Sequence, residues 1–498
     1  MMAEAAIARL HDVREGFDVV DFAHVGLPIF RLTVEAVTLS RQELPTTQEF
    51  VLRAIKIGED QADGIAALLG LSVRDVADAL HTLRYDRAVE IVLAASTMEE
   101  AGSYRLTELG RETLENGTQT PRDEIIVADY DGIRRRVIKL STENLLRPKE
   151  LSEKGAIQIR PYPLEPPEAR ELQATEVGKA ARRKSGKDLT RGVLAIRKIV
   201  RRENLFRPAL ALLFQGRGTG EMRIGFVIGD QNAEDYEIEF ARHGGTKRPG
   251  VIRAREGENT LAALRNFLGP DLVKHVAELS RASALRLRET EARRERVQIV
   301  ARLERKRRKP KLEVDDESLP TVEERVQRAS AELRSLRLRP LAPYEQWELF
   351  DEAIESAKRR LVITSADVDG DVFHSRLLRK LDALLDDGVE VRIETSRALT
   401  TDPRGAVGSF EPAIELFLRN QTKKGLTVKD RPTPDDSLFF LIKDDDLAVI
   451  SSRPFLCGRG RKPSLMPVVG VVATDKEFVG EIARLSGLEA TTTKPRRR

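Results

Sequence analysis

The chain of 498 residues is too long for one hydrophobic core of ordinary size, and its length predicts about three domains. Hydrophobic residues make up 41% and charged residues 33%, a balance typical of a soluble protein with a highly charged surface. No apolar run has the length of a membrane span, and residues 1–20 lack the features of a signal peptide. One cysteine, Cys457, excludes a disulfide framework and a cysteine-based zinc site. We therefore expect a cytoplasmic protein of bacterial type.

The net charge of +4 hides two strongly basic segments. Residues 179–202 contain ten Lys or Arg against one acid, and residues 286–311 contain twelve against four. The rest of the chain is therefore net acidic. Segregated charge favours a polyanionic partner such as nucleic acid, although two solvated helix faces explain it equally simply. The candidate nucleic-acid-binding residues of the first segment are Arg182, Arg183, Lys184, Lys187, Arg197, Lys198, Arg201 and Arg202.

Residues 44–118 carry the pattern of a helix-turn-helix, preceded by residues 1–43, which we expect to be a lead-in packed on them. Apolar residues fall on one face of each of two consecutive helices. Gly70 lies where the turn needs a permissive backbone, and Ser72 is placed to cap the second helix. The predicted shared core consists of Ile65, Leu69, Leu71, Val76 and Leu80.

A two-strand wing is expected after the helical pair, at Val89–Leu93 and Tyr104–Thr107, followed by a helix from Glu108. This segment resembles the winged helix-turn-helix family of bacterial regulators, whose Tyr-x-Leu-Thr-x-x-Gly ending appears as Tyr104, Leu106, Thr107 and Gly110. The resemblance implies that the second helix enters the DNA major groove. Its exposed positions are Arg74, Asp75, Asp78, His81, Thr82 and Arg84.

Arg74 and Arg84 are the candidate DNA contacts on this helix. Two acids among the six exposed positions oppose phosphate binding, so a protein partner is an equally good interpretation of the winged helix.

The middle of the chain predicts a β-rich domain of unknown family at residues 121–270. Residues 216–220 are expected to form a hairpin loop, and no phosphate-loop motif is present. Residues 271–343 predict charged helices at Pro270–Lys309 and Thr321–Leu336, joined by an acidic linker. The strands expected in the β-rich domain are Ile125–Ala128, Ala209–Gln215, Met222–Ile228 and Tyr236–Ala241.

Residues 344–490 predict an α/β domain, which makes the fold class multidomain α/β and α+β, and residues 491–498 form a basic tail. Its strands are nearly continuous apolar runs, typical of strands covered on both faces. The expected elements are Trp347–Ala357, Arg360–Ser365, Ser375–Leu385, Val389–Ile393, Leu438–Ile442, Leu447–Ser451, Pro467–Ala473 and Phe478–Leu485.

This order of elements resembles the phospholipase D superfamily, whose signature is His-x-Lys, four residues, Asp, six residues, then Gly-Ser-x-Asn. Aligned on Leu447–Phe455, the signature Asp is Asp444, Ser451 and Ser452 replace Gly-Ser, and Pro454 replaces Asn. Ser437 and Phe439 then occupy the His and Lys positions. The family's chemistry needs a His nucleophile and a Lys that neutralises the phosphoryl oxygens. The resemblance therefore implies a domain without catalytic residues.

Active members of that family build their site from two repeats, and this chain has one. The resemblance therefore implies a homodimer through the C-terminal domain, or pairing with another subunit. Candidate phosphate-binding residues near the former site are Lys443, Arg453, Arg459 and Arg461. The histidines show no metal-ligand spacing, so we expect neither a metal nor a cofactor.

Three functions fit these features. The leading hypothesis is a non-catalytic nucleic-acid-associated protein in which the inactive domain serves as an assembly module, as in a bacterial defence or regulatory system. The second is a divergent phosphodiesterase or nuclease, and the third is a protein-interaction adaptor.

Overall fold

The computed structural model describes residues 2–42, 44–92, 103–116, 118–140, 145–183, 192–248, 250–276, 279–308, 318–370, 372–396, 412–422, 424–431, 438–458 and 463–489. The helices are α1 Met2–Leu10, α2 Thr46–Lys56, α3 Ala62–Leu69, α4 Val73–Tyr85, α5 Glu108–Asn116, α6 Pro148–Glu153, α7 Ala174–Ala180, α8 Glu234–Arg242, α9 Ala254–Val273, α10 Leu279–Arg308, α11 Ser318–Arg334, α12 Glu345–Ser356, α13 Ser375–Asp386, α14 Pro412–Thr422 and α15 Lys476–Leu485. The strands are β1 Phe17–Gln42, β2 Val89–Val92, β3 Ser103–Leu106, β4 Thr118–Asp131, β5 Arg136–Ile138, β6 Ile157–Gln158, β7 Arg182–Arg183, β8 Val193–Gly216, β9 Met222–Ile228, β10 Gln231–Asn232, β11 Leu338–Pro340, β12 Arg360–Ser365, β13 Glu390–Thr395, β14 Thr427–Asp430, β15 Phe439–Lys443, β16 Leu447–Ser451 and β17 Gly470–Ala473.

The chain divides into two compact units that interleave along the sequence. The larger unit consists of residues 1–28, 143–162 and 205–498, and the smaller unit consists of residues 29–142 and 163–204. The sequence predicts contiguous domains instead. The long strands β1 and β8 explain the difference, because each belongs to one unit in its first half and to the other in its second. Within the described residues, no helix is both long and apolar enough to cross a membrane.

The helical part of the smaller unit contains α2, α3 and α4 around a shared core. Ile65, Val76 and Leu80 are fully buried there, as expected, whereas Leu69 is only partly buried. Leu71 is 37% exposed, so its assignment to the core is wrong. Leu71 directly follows Gly70, the residue that caps the C-terminus of α3 with a φ of 65°. The chain turns away from the core at this point, before α4 begins.

Local hydrogen bonds explain why α4 and α5 begin where they do. Ser72 Oγ accepts a hydrogen bond from the Asp75 N–H at 3.1 Å, which confirms the expected cap of α4. Thr107 Oγ1 accepts the Gly110 N–H at 3.0 Å just before α5. A Cβ atom at Gly110 would lie 1.9 Å from the carbonyl oxygen of Ala88, so only glycine fits there. The Thr-x-x-Gly spacing is therefore a packing requirement of this corner.

The sheet of the smaller unit is built on the second half of β1. Residues from Ile29 to Gln42 pair antiparallel with β4, and β4 also pairs with β5 and β7. Val177 of α7 packs in a core with β1 and β4 residues such as Leu32 and Ile126. The expected lead-in at residues 1–43 is therefore wrong, because most of that segment forms α1 and a strand of the sheet. The strand was not recognised in the sequence because its apolar and polar residues are mixed. One face of the strand is buried and the other is partly exposed.

The C-terminal part of the larger unit is a seven-stranded sheet in the order β11-β17-β16-β15-β12-β13-β14. Strands β12, β13 and β14 are parallel, and the other neighbours are antiparallel. Side chains of α12, α13 and α14 share a core with one face, while α9 and α15 pack on the other. Every residue of β12, β15, β16 and β17 is buried, which confirms the expected α/β layers.

Two expected elements of the middle segment are wrong. Tyr236–Ala241 lies in helix α8, not in a strand. Tyr236 and Phe240, four residues apart, are both buried on one helix face, whereas Ile238 is 52% exposed. Glu234, at the first turn of α8, also suits the positive end of the helix dipole. Alternating apolar and acidic residues imitated a strand in the sequence.

The second wrong element is the single long helix expected at Pro270–Lys309. Helix α9 ends at Val273 and α10 begins at Leu279, and Gly269 at φ 68° already kinks α9. The hairpin loop expected at residues 216–220 is confirmed, because β8 and β9 pair antiparallel on either side of it.

Helices α10 and α11 form an antiparallel hairpin within the larger unit. Ion pairs join Arg296 to Glu323 at 3.2 Å and Arg325 to Glu295 at 2.6 Å. Part of the basic charge of residues 286–311 is therefore neutralised within the hairpin, as the sequence could not show.

A buried group of charges joins α10 to α12. Glu345 is 4% exposed and accepts hydrogen bonds from Arg339 at 2.6 Å, from Arg286 and from the Ala342 N–H. Burial opposes its ionisation, but Arg286 and Arg339 hold the pKa of Glu345 well below its usual value. Arg9 of α1 extends the cluster to Glu348 at 2.6 Å.

We expect Glu345→Gln to lower the free energy of unfolding by about 3–5 kcal/mol, because two buried arginines lose their common counter-ion. The measurement is urea unfolding followed by circular dichroism at neutral pH. Glu352→Gln, on the same helix but 43% exposed with Arg334 as its partner, is the control and should cost about 0–1 kcal/mol. Equal effects of the two substitutions would contradict the structural role of the cluster.

Candidate functional site

The position expected for the signature lysine lies in the hydrophobic core. Phe439 is the first residue of β15, is 6% exposed and belongs to the core cluster between the sheet and α12–α14. Ser437, at the expected histidine position, lies outside the described residues. Because Phe439 is enclosed by other core side chains, a phosphate group cannot reach this position.

Asp444, at the signature aspartate position, holds the start of β12. Its side chain accepts the N–H groups of Lys358, Arg359 and Arg360 at 3.0, 2.7 and 2.9 Å. Burial opposes ionisation, but these three donors lower the pKa of Asp444. Its φ of 48° marks the tight turn between β15 and β16. In this structure Asp444 is a fold-stabilising residue.

Lys443 lies at the opposite end of β15 from Phe439. The two residues are four positions apart on the strand, which corresponds to about 13 Å. The Lys443 ammonium contacts Ser356 Oγ and Asp446 Oδ2, each at 3.2 Å. The structure therefore does not bring Lys443 together with Arg453 as a phosphate-binding pair.

The segment from Ser451 to Pro454 is held by Gln346 of α12. Ser451 Oγ donates to Gln346 Oε1 at 2.8 Å and accepts the Arg453 N–H at 3.0 Å. Gln346 Nε2 donates to the carbonyl oxygens of Arg453 and Pro454. Ser452 Oγ accepts the Val469 N–H at 3.0 Å. The loop after β16 is therefore fixed by side-chain hydrogen bonds.

Arg453 is bound by a residue from the other end of the chain. Its guanidinium group forms a short ion pair with Asp21 of β1, which is fully buried. The same Asp21 accepts the Met466 N–H at 2.9 Å, and the Arg453 guanidinium lies 5.5 Å from the ring centroid of Phe22. This region of β1 thus fastens two loops of the C-terminal sheet inside the larger unit.

A cavity of about 420 Å³ lies beside this loop, entirely within the larger unit. Its volume is within the usual range of small-molecule sites. Its walls come from α1, β1, the end of α6, Arg253, Trp347 and the loops after β16. The residues that line it include Glu4, Phe22, His24, Lys154, Arg253, Trp347, Ser452, Arg453 and Cys457.

A histidine that the sequence reasoning missed lines this cavity. His24 Nε2 lies 2.8 Å from Glu4 Oε1, and the hydrogen bond with His24 lowers the pKa of Glu4 to about 2. Glu4 is therefore a carboxylate at neutral pH and orients the imidazole ring. The only local signal was a histidine inside a long apolar strand, and its nearness to Ser452 depends on tertiary structure.

Cys457, also on the cavity wall, is a neutral thiol at neutral pH. Burial raises the pKa of Cys457 to about 11, although Ser365 Oγ lies 3.8 Å from its sulfur. Among the described residues, no group of three or more His, Cys, Asp or Glu side chains could hold a metal ion.

The candidate nucleic-acid-binding residues fall on two parts of the smaller unit. Arg74 and Arg84 are exposed on α4, together with Asp75, Asp78 and His81. The basic residues of β8 are also on the surface, but three of them form ion pairs. These pairs are Arg197–Asp123 at 3.1 Å, Lys198–Glu35 at 3.0 Å and Arg201–Glu203 at 2.6 Å.

Several other candidates cannot be placed. Arg182 and Arg183 form β7, where only the backbone is described. Lys184, Lys187, Arg459 and Arg461 lie outside the described residues. Arg202 donates to the Pro167 carbonyl oxygen at 3.5 Å.

No protein-family model matches the chain, and no curated protein matches it. Among solved structures the chain is similar to Nuc of Salmonella typhimurium, a phospholipase D family member, with 16% identity, 28% of this chain and 84% of that chain covered, and a TM-score of 0.21. It is also similar to NucT from Helicobacter pylori, with 14% identity, 30% and 95% covered, and a TM-score of 0.21. A third is phosphatidylserine synthase of Haemophilus influenzae Rd KW20, with 15% identity, 34% and 45% covered, and a TM-score of 0.22.

We expect Phe439→Lys to destabilise the protein by about 4 kcal/mol or more, because an ammonium group would replace an aromatic ring in the core. Phe439→Leu, which keeps the site apolar, should cost about 1–2 kcal/mol. Urea unfolding of both variants measures the difference. A Phe439→Lys variant as stable as Phe439→Leu would show that this position reaches solvent.

Proposed function

We propose that the protein is a non-catalytic nucleic-acid-associated protein in which the smaller unit contacts the nucleic acid and the C-terminal sheet of the larger unit serves as an assembly module. We further propose that residues 44–118 act as a winged helix-turn-helix. The observation that carries the non-catalytic assignment is the burial of Phe439 where phosphodiester chemistry would need a cation.

Charge on the smaller unit supports the nucleic-acid part of the proposal. The side chains of Arg197, Lys198 and Arg201 are 56%, 66% and 71% exposed despite their acidic partners. Exposed ion pairs of this kind contribute about 0–1 kcal/mol each. A polyanion that gains entropy by releasing its counter-ions can therefore compete for these cations. Arg74 and Arg84 on α4 add exposed positive charge to the same unit.

The assembly role is argued from the loop after β16, where Asp21 neutralises Arg453 and so engages this basic side chain within the chain itself. Homodimerisation through the C-terminal domain remains a proposal, and light scattering coupled to size exclusion measures it directly.

We expect the variant with Arg197, Lys198, Arg201 and Arg202 all changed to Ala to bind duplex DNA about 10–100-fold more weakly at about 0.1 M salt. The slope of log affinity against log salt concentration should become less negative by up to about 3–4, because the variant neutralises fewer phosphate charges. Fluorescence anisotropy of labelled DNA and RNA duplexes at several salt concentrations provides the measurement.

A matched control removes the same number of surface cations elsewhere. Lys149, Arg170, Lys274 and Arg484 are 60–88% exposed, and each has an acidic neighbour close in sequence. Changing these four to Ala should leave the salt slope nearly unchanged. If both variants lose the same affinity for DNA, the loss is explained by net charge and not by the β8 residues. A wild-type affinity for DNA that does not change with salt would overturn the nucleic-acid proposal.

One observation favours a second candidate function, a divergent phosphodiesterase. His24, held by ionised Glu4, lines the same cavity as Ser452 and Arg453, so an imidazole lies near the former site without being part of the signature.

Cleavage of single- and double-stranded DNA and RNA distinguishes the two candidates. We expect no product from the wild-type protein, as the non-catalytic proposal requires. Metal-independent product that disappears in His24→Ala, but persists in His81→Ala, would favour the enzyme instead. His81 is an exposed histidine of α4 and provides the matched control.

A further inference from the structure

The cavity beside Ser452 combines an apolar wall with a rim that carries more basic than acidic side chains. Phe22 and Trp347 are each 6% exposed and contribute apolar surface, together with Val468. An apolar wall with a few convergent polar groups is the usual composition of a small-molecule site. Burial of a ligand body against these side chains would stabilise the complex by about 25 cal/mol per Å² of apolar surface.

Ion pairs decide the net charge of the rim. Arg453 is neutralised by Asp21, and Glu153 has Lys149 as its partner at 3.9 Å. Glu4 is engaged with His24. Lys154 is therefore the basic side chain of the rim on which anion binding can depend.

Lys154 is the most available cation of the rim. It follows the last residue of α6, its side chain is exposed, and it has no ion pair within the described part of the chain. Its position at the end of a short helix places an ammonium group at the cavity wall beside Gly155.

A hydroxyl donor complements this cation. Ser452 Oγ accepts the Val469 N–H, so its own hydrogen can be donated, and the described residues provide no acceptor for it. Ser452 is only 6% exposed, which places this donor in a site of low polarity where a charge-assisted hydrogen bond is strong. The neutral thiol of Cys457 adds no negative charge nearby.

We propose that this cavity binds a small anionic molecule with an apolar body, such as a phosphate ester or a carboxylate, without cleaving it. The apolar body lies against Phe22 and Trp347, and the anion lies between Lys154 and Ser452. The inference deepens the proposed function, because it makes the non-catalytic C-terminal module a ligand-binding one. Because β1 and the end of α6 supply part of the wall, the bound ligand would also contact elements that lie outside the C-terminal sheet.

Isothermal titration of the full-length protein tests this site with three probes of the same aromatic body. They are 1-naphthyl phosphate, 1-naphthoate and the neutral 1-naphthalenemethanol. We expect one equivalent of an anionic probe to bind and the neutral probe to bind at least about tenfold more weakly. The two anions distinguish phosphate from carboxylate as the recognised group.

Lys154→Ala should weaken the anionic probe about tenfold, because one charge-assisted contact is lost. Lys274→Ala, a surface cation of the same unit that is 62% exposed and lies outside the cavity wall, is the matched control and should leave binding unchanged. No binding of either anion at about 1 mM, equal binding of the neutral probe, or equal effects of the two substitutions would each overturn the inference.

The salt titration with duplex DNA separates this inference from the proposed function. Lys154→Ala should retain the wild-type salt slope, because Lys154 belongs to the larger unit and the DNA-contacting cations belong to the smaller one. Loss of probe binding with an intact salt slope locates the anion in the cavity. An intact slope with no probe binding at all would reject the ligand site and leave the nucleic-acid proposal standing.

Discussion

Glu345 is an ionised carboxylate inside the larger unit, and the elements around it depend on how its charge is balanced. Arg286 comes from α10, Arg339 from β11, and Ala342 donates its backbone N–H just before α12. Removing a charge from water costs several kcal/mol, so this arrangement is stable only when all the partners are present. The helical hairpin, the edge of the seven-stranded sheet and the first helix of the C-terminal part are therefore fixed together. Arg9 of α1 joins the same cluster through Glu348.

The same kind of constraint shapes the candidate site. Asp21 is fully buried and is balanced by Arg453, and it also receives the Met466 N–H. The sequence made Arg453 a candidate for phosphate binding, but its charge is already balanced by Asp21 of the same chain. Anion recognition in the cavity therefore depends on Lys154 and Ser452, which the signature does not include. The proposals of a non-catalytic module and of a ligand site both depend on this division of roles.

Charge segregation along the sequence has a different meaning once the partners are known. Part of the positive charge of α10 serves the cluster around Glu345, because the paired Arg286 side chain is only 8% exposed. The basic residues of β8 also have partners, yet those pairs are exposed and weak. Burial therefore decides which basic segment can exchange its partners for a polyanion. The β8 segment satisfies this condition best among the described residues.

The sequence by itself determined features that depend on neighbouring residues. The cap at Ser72, the turn at Gly70, the hairpin at residues 216–220 and the apolar strands such as β12 were all predictable, because their causes lie within a few residues. Only the tertiary structure decided which charges are balanced, that β1 is a strand of the sheet and not a lead-in, and that His24 lines the same cavity as Ser452. These features depend on tertiary contacts, many of them between residues far apart in the chain, such as Asp21 with Arg453. Local periodicity carries no information about such contacts, because the partner is chosen by burial and charge in the folded chain.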